Sequence, residues 1–141
     1  VIVNNYIITQ TFLSWDDLCF GGELVLPRFQ LTNCFNVLGH IEIPSDDTNN
    51  TVISISRQYD YTQHQLDNIM VHEMIHYYLY MVGRDTRCTH GKEFKKMAKD
   101  INSKFGLHVE QYVDISHMKL RKDYSKLHKF FSFLEWLEFA N

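Results

Sequence analysis

The sequence is poor in residues that staple or punctuate a chain. Only two prolines, Pro27 and Pro44, and six glycines stand among 141 residues, which excludes collagen-like and Pro/Gly-rich low-complexity classes. The three cysteines, Cys19, Cys34 and Cys88, are far apart, odd in number and form no CxxC pair. A disulfide framework and a zinc ribbon are therefore not supported, and a reducing cytoplasm is the expected setting. No apolar run approaches the ~18–20 residues that span a bilayer, so no membrane partner is expected. The opening residues, Val1-Ile2-Val3-Asn4-Asn5, have neither an initiator Met nor a basic n-region, so no secretory signal is expected there. Charge of one sign is also lacking. A net charge of −3 argues against nucleic-acid binding driven by overall charge, while a local basic face is still allowed.

What the chain does have is ordinary globular composition with many aromatics. It is 45% hydrophobic and 22% charged, and ten Phe and eight Tyr raise the aromatic share to 14%. That length and composition predict one domain over residues 1–141 with a single, aromatic-rich core.

Apolar spacing at Ile8, Phe12, Trp15, Leu18 and Cys19 predicts an amphipathic N-terminal helix over residues 6–20, closed by Gly21-Gly22. Residues 28–32, 37–43 and 51–59 then read as strands, giving a small antiparallel sheet of about three. Thr62-Gln63-His64-Gln65 has the form of a capping box. From there Leu66, Ile69, Met70, Met74, Ile75 and Leu79 continue helically toward Gly83. A second helix is expected from Thr89 or Gly91 to Phe105, with Lys92, Lys95, Lys96, Lys99 and Lys104 on its outer face. Residues 107–121 fit either an extended stretch or turns. A terminal aromatic helix is expected over 123–139, built on Phe130, Phe131, Leu134 and Leu137. The class is α+β.

The chemistry concentrates in Val71-His72-Glu73-Met74-Ile75-His76-Tyr77, an HExxH sequence in the middle of a capped helix. Four residues return an α-helix to within ~40° of its starting direction, so His72 and His76 can offer two imidazoles to one metal. Glu73 lies beside that face, placed to contact a water without ligating. This is the arrangement used for zinc hydrolysis, with Glu73 taking the water's proton and passing it to the leaving amine. Shuffled composition gives HExxH only about 0.02 times per chain, and the helical context weighs further against chance. The bland alternative is two partly buried histidines and a helix-surface carboxylate.

A catalytic zinc site needs a third protein ligand and an open position. His90 is the leading candidate, because it precedes a helix whose positive end disfavours imidazolium. Glu93 and the thiolate of Cys88 are the alternatives. Val82 stands ten residues after His72, which excludes the compact HExxHxxGxxH arrangement.

The stretch VHEMIHYYL, followed by THGKEFKKMAKDIN, resembles the SprT-like zinc metalloprotease domain of the SprT and Spartan proteins. The matching positions are His72, Glu73, His76, His90, Gly91, Phe94, Ile101 and Asn102. The resemblance implies a minimal gluzincin-like fold, zinc as cofactor, His90 rather than Glu93 as third ligand, and peptide-bond hydrolysis. It also implies protein or peptide substrates, with DNA-associated proteins among them and DNA itself as a partner. Family members often carry a cysteine-rich zinc ribbon after this domain; here the sequence runs into the aromatic stretch instead.

Lys119, Arg121, Lys122, Lys126 and Lys129, with Tyr124 and His128, form a second basic cluster. It reads first as a linker and helix face and second as a site for single-stranded nucleic-acid contacts, and the lysines of 92–104 read first as a solvated face and second as a guide for DNA phosphates or acidic substrates. His108, Tyr112 and His117 are candidates for stabilising the transition state. His40 and His64 are expected to be surface or core residues, and Cys19 and Cys34 small buried hydrophobes. The leading expectation is a cytoplasmic zinc endopeptidase. The alternatives are a nucleic-acid-associated module with a structural zinc and no turnover, and a zinc hydrolase of non-peptide substrates.

Overall fold

The computed structural model describes residues 1–122. Helix α1 (Asn5–Phe20) leads into strands β1 (Arg28–Thr32), β2 (Gly39–Glu42) and β3 (Val52–Ser56), then helices α2 (Gln63–Met81) and α3 (Lys92–Phe105). The fold is α+β, as expected. The aromatic helix expected over 123–139 lies outside the described residues. No helix among the described residues is long and apolar enough to cross a membrane.

Helix α1 starts where the Asn4 side chain accepts from the Ile7 amide at 2.8 Å, and ends at Gly21 with φ 65. Ile8 and Phe12 on its inner face are fully buried. The sheet corrects one expectation. It is mixed rather than antiparallel, in the order β1-β3-β2, with β1 parallel to β3 and β2 antiparallel to it. Adjacency in sequence favours a meander, but burial decides the order. Val52–Ser56 is buried along nearly its whole length, whereas Arg28, His40 and Glu42 are exposed. The apolar strand therefore takes the centre, and the two half-polar strands become edges.

Helix α2 is the hub. The Thr62 side chain accepts from the Gln65 amide and the Gln65 side chain accepts from the Thr62 amide, so the capping box forms. Leu66, Ile69, Met70, Val71, Met74, Ile75, Tyr77 and Leu79 are all buried. At ~1.5–3 kcal/mol each, such burial outweighs the modest helix propensity of a segment rich in β-branched and aromatic residues. The core is aromatic-rich, with Phe12, Phe20, Tyr59, Tyr61, Tyr77 and Phe94 buried.

Helix α3 buries Phe94, Ala98 and Ile101 and exposes its lysines. Gly106, at φ 70, turns the chain back on itself. Residues 107–110 then alternate, Leu107 and Val109 buried, His108 and Glu110 exposed. The ambiguous stretch thus resolves into an extended run, one 3-10 turn at Ile115–His117 and a bridge from Leu120 to Tyr59. The expectation of buried Cys19 and Cys34 does not hold. Cys34 is exposed and Cys19 half-buried, because Cys34 sits in the β1–β2 loop, where its carbonyl accepts from the Ser56 hydroxyl at 2.6 Å.

Candidate metal centre

The helical period of α2 sets His72 and His76 one turn apart, with ring centroids separated by 5.0 Å. The α2–α3 loop brings His90 across to them. That loop is organised by Asp85, whose carboxylate accepts from the Arg87 amide at 3.0 Å and from the Thr89 amide and hydroxyl at 2.9 and 2.7 Å. Cys88 takes a left-handed conformation at φ 52 to complete the turn. The result is that His90 Nε2 lies 3.1 Å from His72 Nε2 and 3.1 Å from His76 Nε2. Beneath all three rings lies Phe94, fully buried, with centroid distances of 4.8, 4.7 and 4.9 Å to His72, His76 and His90.

The proton inventory of this cluster fits a cation. His72 donates through Nδ1 to the Glu110 carbonyl at 2.8 Å, so in the neutral ring its Nε2 presents a lone pair to the cluster. Burial pushes His72 and His76 down to about 4, and burial lowers His90 as well, against the opposing charge of Asp85. Neutral imidazoles are the metal-binding form. His90 Nε2 stands 3.1 Å from each of the other two Nε2 atoms, and all three nitrogens lie within 4.8 Å of one another. Tetrahedral ligation at ~2.0–2.1 Å per nitrogen would space them at roughly 3.3–3.4 Å. Among the described residues, His72, His76 and His90 are the one group of three His, Cys, Asp or Glu side chains close enough to hold a metal.

Glu73 projects beside this cluster and is 6% exposed. Burial without a partner charge pushes its carboxyl up to about 8. Its neighbour is the start of β2. A Cβ at Gly39 would stand 2.7 Å from Ile69 Cγ2 and 3.1 Å from Glu73 Oε1, so only glycine lets the strand approach the helix this closely. A cleft of about 260 Å³ opens over His72, Glu73 and His90, walled by Val37 and Leu38 on one side and by Tyr112 and Val113 on the other.

The remaining candidates separate. Glu93 faces a different depression, with Arg84, Lys96 and Asp100. The Cys88 thiol is pushed up by burial and stays protonated. Tyr112 stands on the cleft with its ring 5.9 Å from that of His90. His108 turns away to His64, Nδ1 to Nε2 at 2.7 Å, and His117 lies exposed beside Asp114. Lys119 and Lys122 are exposed and Arg121 is partly buried; Tyr124, Lys126, His128 and Lys129 lie outside the described residues. Sequence reasoning passed over Gly39, Asp85 and Glu110. A polar loop opening on Asp is a legible turn signal, whereas a backbone carbonyl such as that of Glu110 leaves no trace in residue identity.

No curated protein matches the chain. The family model that matches is that of the SprT-like family, over residues 8–117, well over half of the 141 residues. That span contains α1, the whole sheet, α2, α3 and all three clustered histidines. The chain belongs to the SprT-like family.

Proposed function

We propose that this protein is a cytoplasmic zinc-dependent endopeptidase that acts on extended segments of protein substrates, DNA-associated proteins among them. The observation that carries the reading is the convergence of three imidazole nitrogens within 4.8 Å of one another, beside a buried carboxyl and under an open cleft. His72, His76 and His90 would hold the ion. Zinc suits an all-imidazole set that leaves one position open, and when bound it polarises a carbonyl and acidifies a coordinated water.

The chain's own residues do the rest. Glu73, as carboxylate, accepts the proton of the attacking water and returns it to the leaving amine. Phe94 and the packed face of α2 exclude water from beneath the histidines, which strengthens every charge interaction at the site. Strand β2 is a sheet edge whose first residue borders the cleft, so an extended chain can lie along it by backbone pairing. Val37, Leu38 and Val113 suit an apolar substrate side chain there. The unpaired thiols of Cys19, Cys34 and Cys88 agree with a reducing compartment.

The test is metal content together with proteolysis, with and without DNA, for the wild type and Glu73→Gln. The expected result is about one zinc per chain in both proteins and cleavage by the wild type alone. Absence of stoichiometric zinc in the wild type, or equal cleavage by the Gln variant, would overturn the reading. Zinc without turnover, combined with salt-sensitive DNA binding, would mark a binding module instead.

A further inference from the structure

The backbone of residues 108–110 is tied to side chains on both of its edges. On the α3 side, the Asn102 carboxamide donates to the Val109 carbonyl at 3.0 Å and accepts from the Val109 amide at 2.8 Å. On the α2 side, the His108 amide donates to Asn68 Oδ1 at 2.9 Å, and the Glu110 carbonyl accepts from His72 Nδ1 at 2.8 Å. We propose that Asn102, assisted by Asn68, is a positioning residue that fixes the register of this strap and thereby orients His72 toward the metal. The proposal rests on the metal-centre reading above.

The physics is that of an extended strand. The N–H and C=O of one residue point to the same side, and those of its neighbours point to the other. Val109 therefore presents both groups to α3, while the His108 amide and Glu110 carbonyl face α2. The Asn102 carboxamide meets Val109 as a neighbouring strand would. Burial of Leu107 and Val109 holds the strap down, but burial is non-directional and does not by itself prevent sliding or rotation. A slip of one residue would exchange the two sides and take the carbonyl away from His72. His72 would then lose the bond that keeps its proton on Nδ1, and the Nε2–H tautomer would aim a proton into the cluster.

The readouts are zinc affinity by competition with a chelator dye and the His72 tautomer by ¹⁵N NMR of the zinc-free protein. Asn102→Ala is expected to weaken zinc binding about 10- to 100-fold, the range for lost outer partners of a ligating His, and to populate the Nε2–H tautomer. Asn102→Asp should behave like Ala, because a carboxylate cannot donate to the Val109 carbonyl. Near-UV circular dichroism checks that both fold. Should neither fold, Asn68→Ala removes only the acceptor of the His108 amide and should weaken zinc about three- to tenfold, the loss of one hydrogen bond, with a smaller tautomer shift. A folded Asn102→Ala protein, or failing that Asn68→Ala, with wild-type affinity and an unchanged His72 tautomer would overturn the proposal. A wild type that binds no zinc would instead overturn the metal-centre reading, while the tautomer of the zinc-free variants still decides the role of Asn102.

Discussion

Replacing Glu73 by Gln should change the number of protons released when the protein takes up zinc. In the zinc-free protein burial holds the Glu73 carboxyl at about 8, so at pH 7 it carries ~0.9 of a proton. A divalent charge even ~8 Å away, at an effective dielectric of ~20, favours the carboxylate by about 4 kcal/mol, or ~3 pKa units. That is enough to bring the group below 6 and to expel its proton on binding. His72 and His76, held at about 4, have no protons to give at pH 7. His90, lowered from 6.5, contributes at most ~0.2 of a proton in both proteins. Calorimetric titration with zinc, in non-coordinating buffers of different ionisation enthalpy, counts the protons directly. The wild type should release ~0.9 more protons per zinc than Glu73→Gln at pH 7, and the difference should shrink to ~0.1 at pH 9. Equal counts at pH 7 would refute the claim that Glu73 is protonated in the empty site and responds to the ion.

The same groups give the zinc-free protein a pH signature. Depressed His72 and His76 contribute stability that is present above 6.5 and lost as pH falls toward about 4, whereas Glu73, raised from 4.5 to about 8, contributes stability present below 4.5 and lost as pH rises through 8. Thermal melts should therefore show stability falling between pH 6.5 and 8, by at most ~1.4 kcal/mol per unit, and Glu73→Gln should abolish that fall. Phe94→Ala removes the floor under three imidazoles; denaturant unfolding should register a loss of about 3–5 kcal/mol, and chelator competition a weaker zinc site. Gly39→Ala drives a methyl into Ile69 and Glu73. It should cost about 1–3 kcal/mol by overpacking and reduce peptide cleavage, while Gly22→Ala, remote from the cleft, meets nothing within 4 Å but sits at φ +71, so it should cost ~1–2 kcal/mol of stability and leave cleavage by the folded protein unchanged.

How much of this could be read from residues alone depends on whether the information is local. Helix α2 was legible because its cap, its apolar period and its HExxH spacing all lie within twenty consecutive residues and agree. The Lys92–Phe105 helix was legible for the same reason, down to the Gly106 terminator. The order of the sheet was not, since choosing β3 as the centre requires comparing the burial of three strands that are far apart in sequence. His90 could be nominated but not placed, because its approach to His72 and His76 depends on Asp85 drawing the loop into a turn. The side on which Glu110 presents its carbonyl depends on strand register, which no single residue encodes.

These non-local parts explain why the site needs more than three nitrogens and a carboxyl. The HExxH helix supplies two nitrogens and a carboxyl by geometry alone, but His90 has to be held with its Nε2 3.1 Å from both of the other imidazoles, at a desolvation cost. Something must hold the three together. Phe94, in the first turn of α3, fills the space beneath all three rings, so the floor follows within four residues of His90 at the end of the loop. Gly91 is the N-cap of α3, so the helix begins directly after His90, which shortens the lever between His90 and the floor. Asn102, two turns past Phe94 on α3, then fixes the strap that orients His72. The elements from α2 to the strap thus work as one preorganised mould. Substitutions at Phe94 and Asn102, neither of which lines the cleft, should accordingly be read first in metal affinity and only then in turnover.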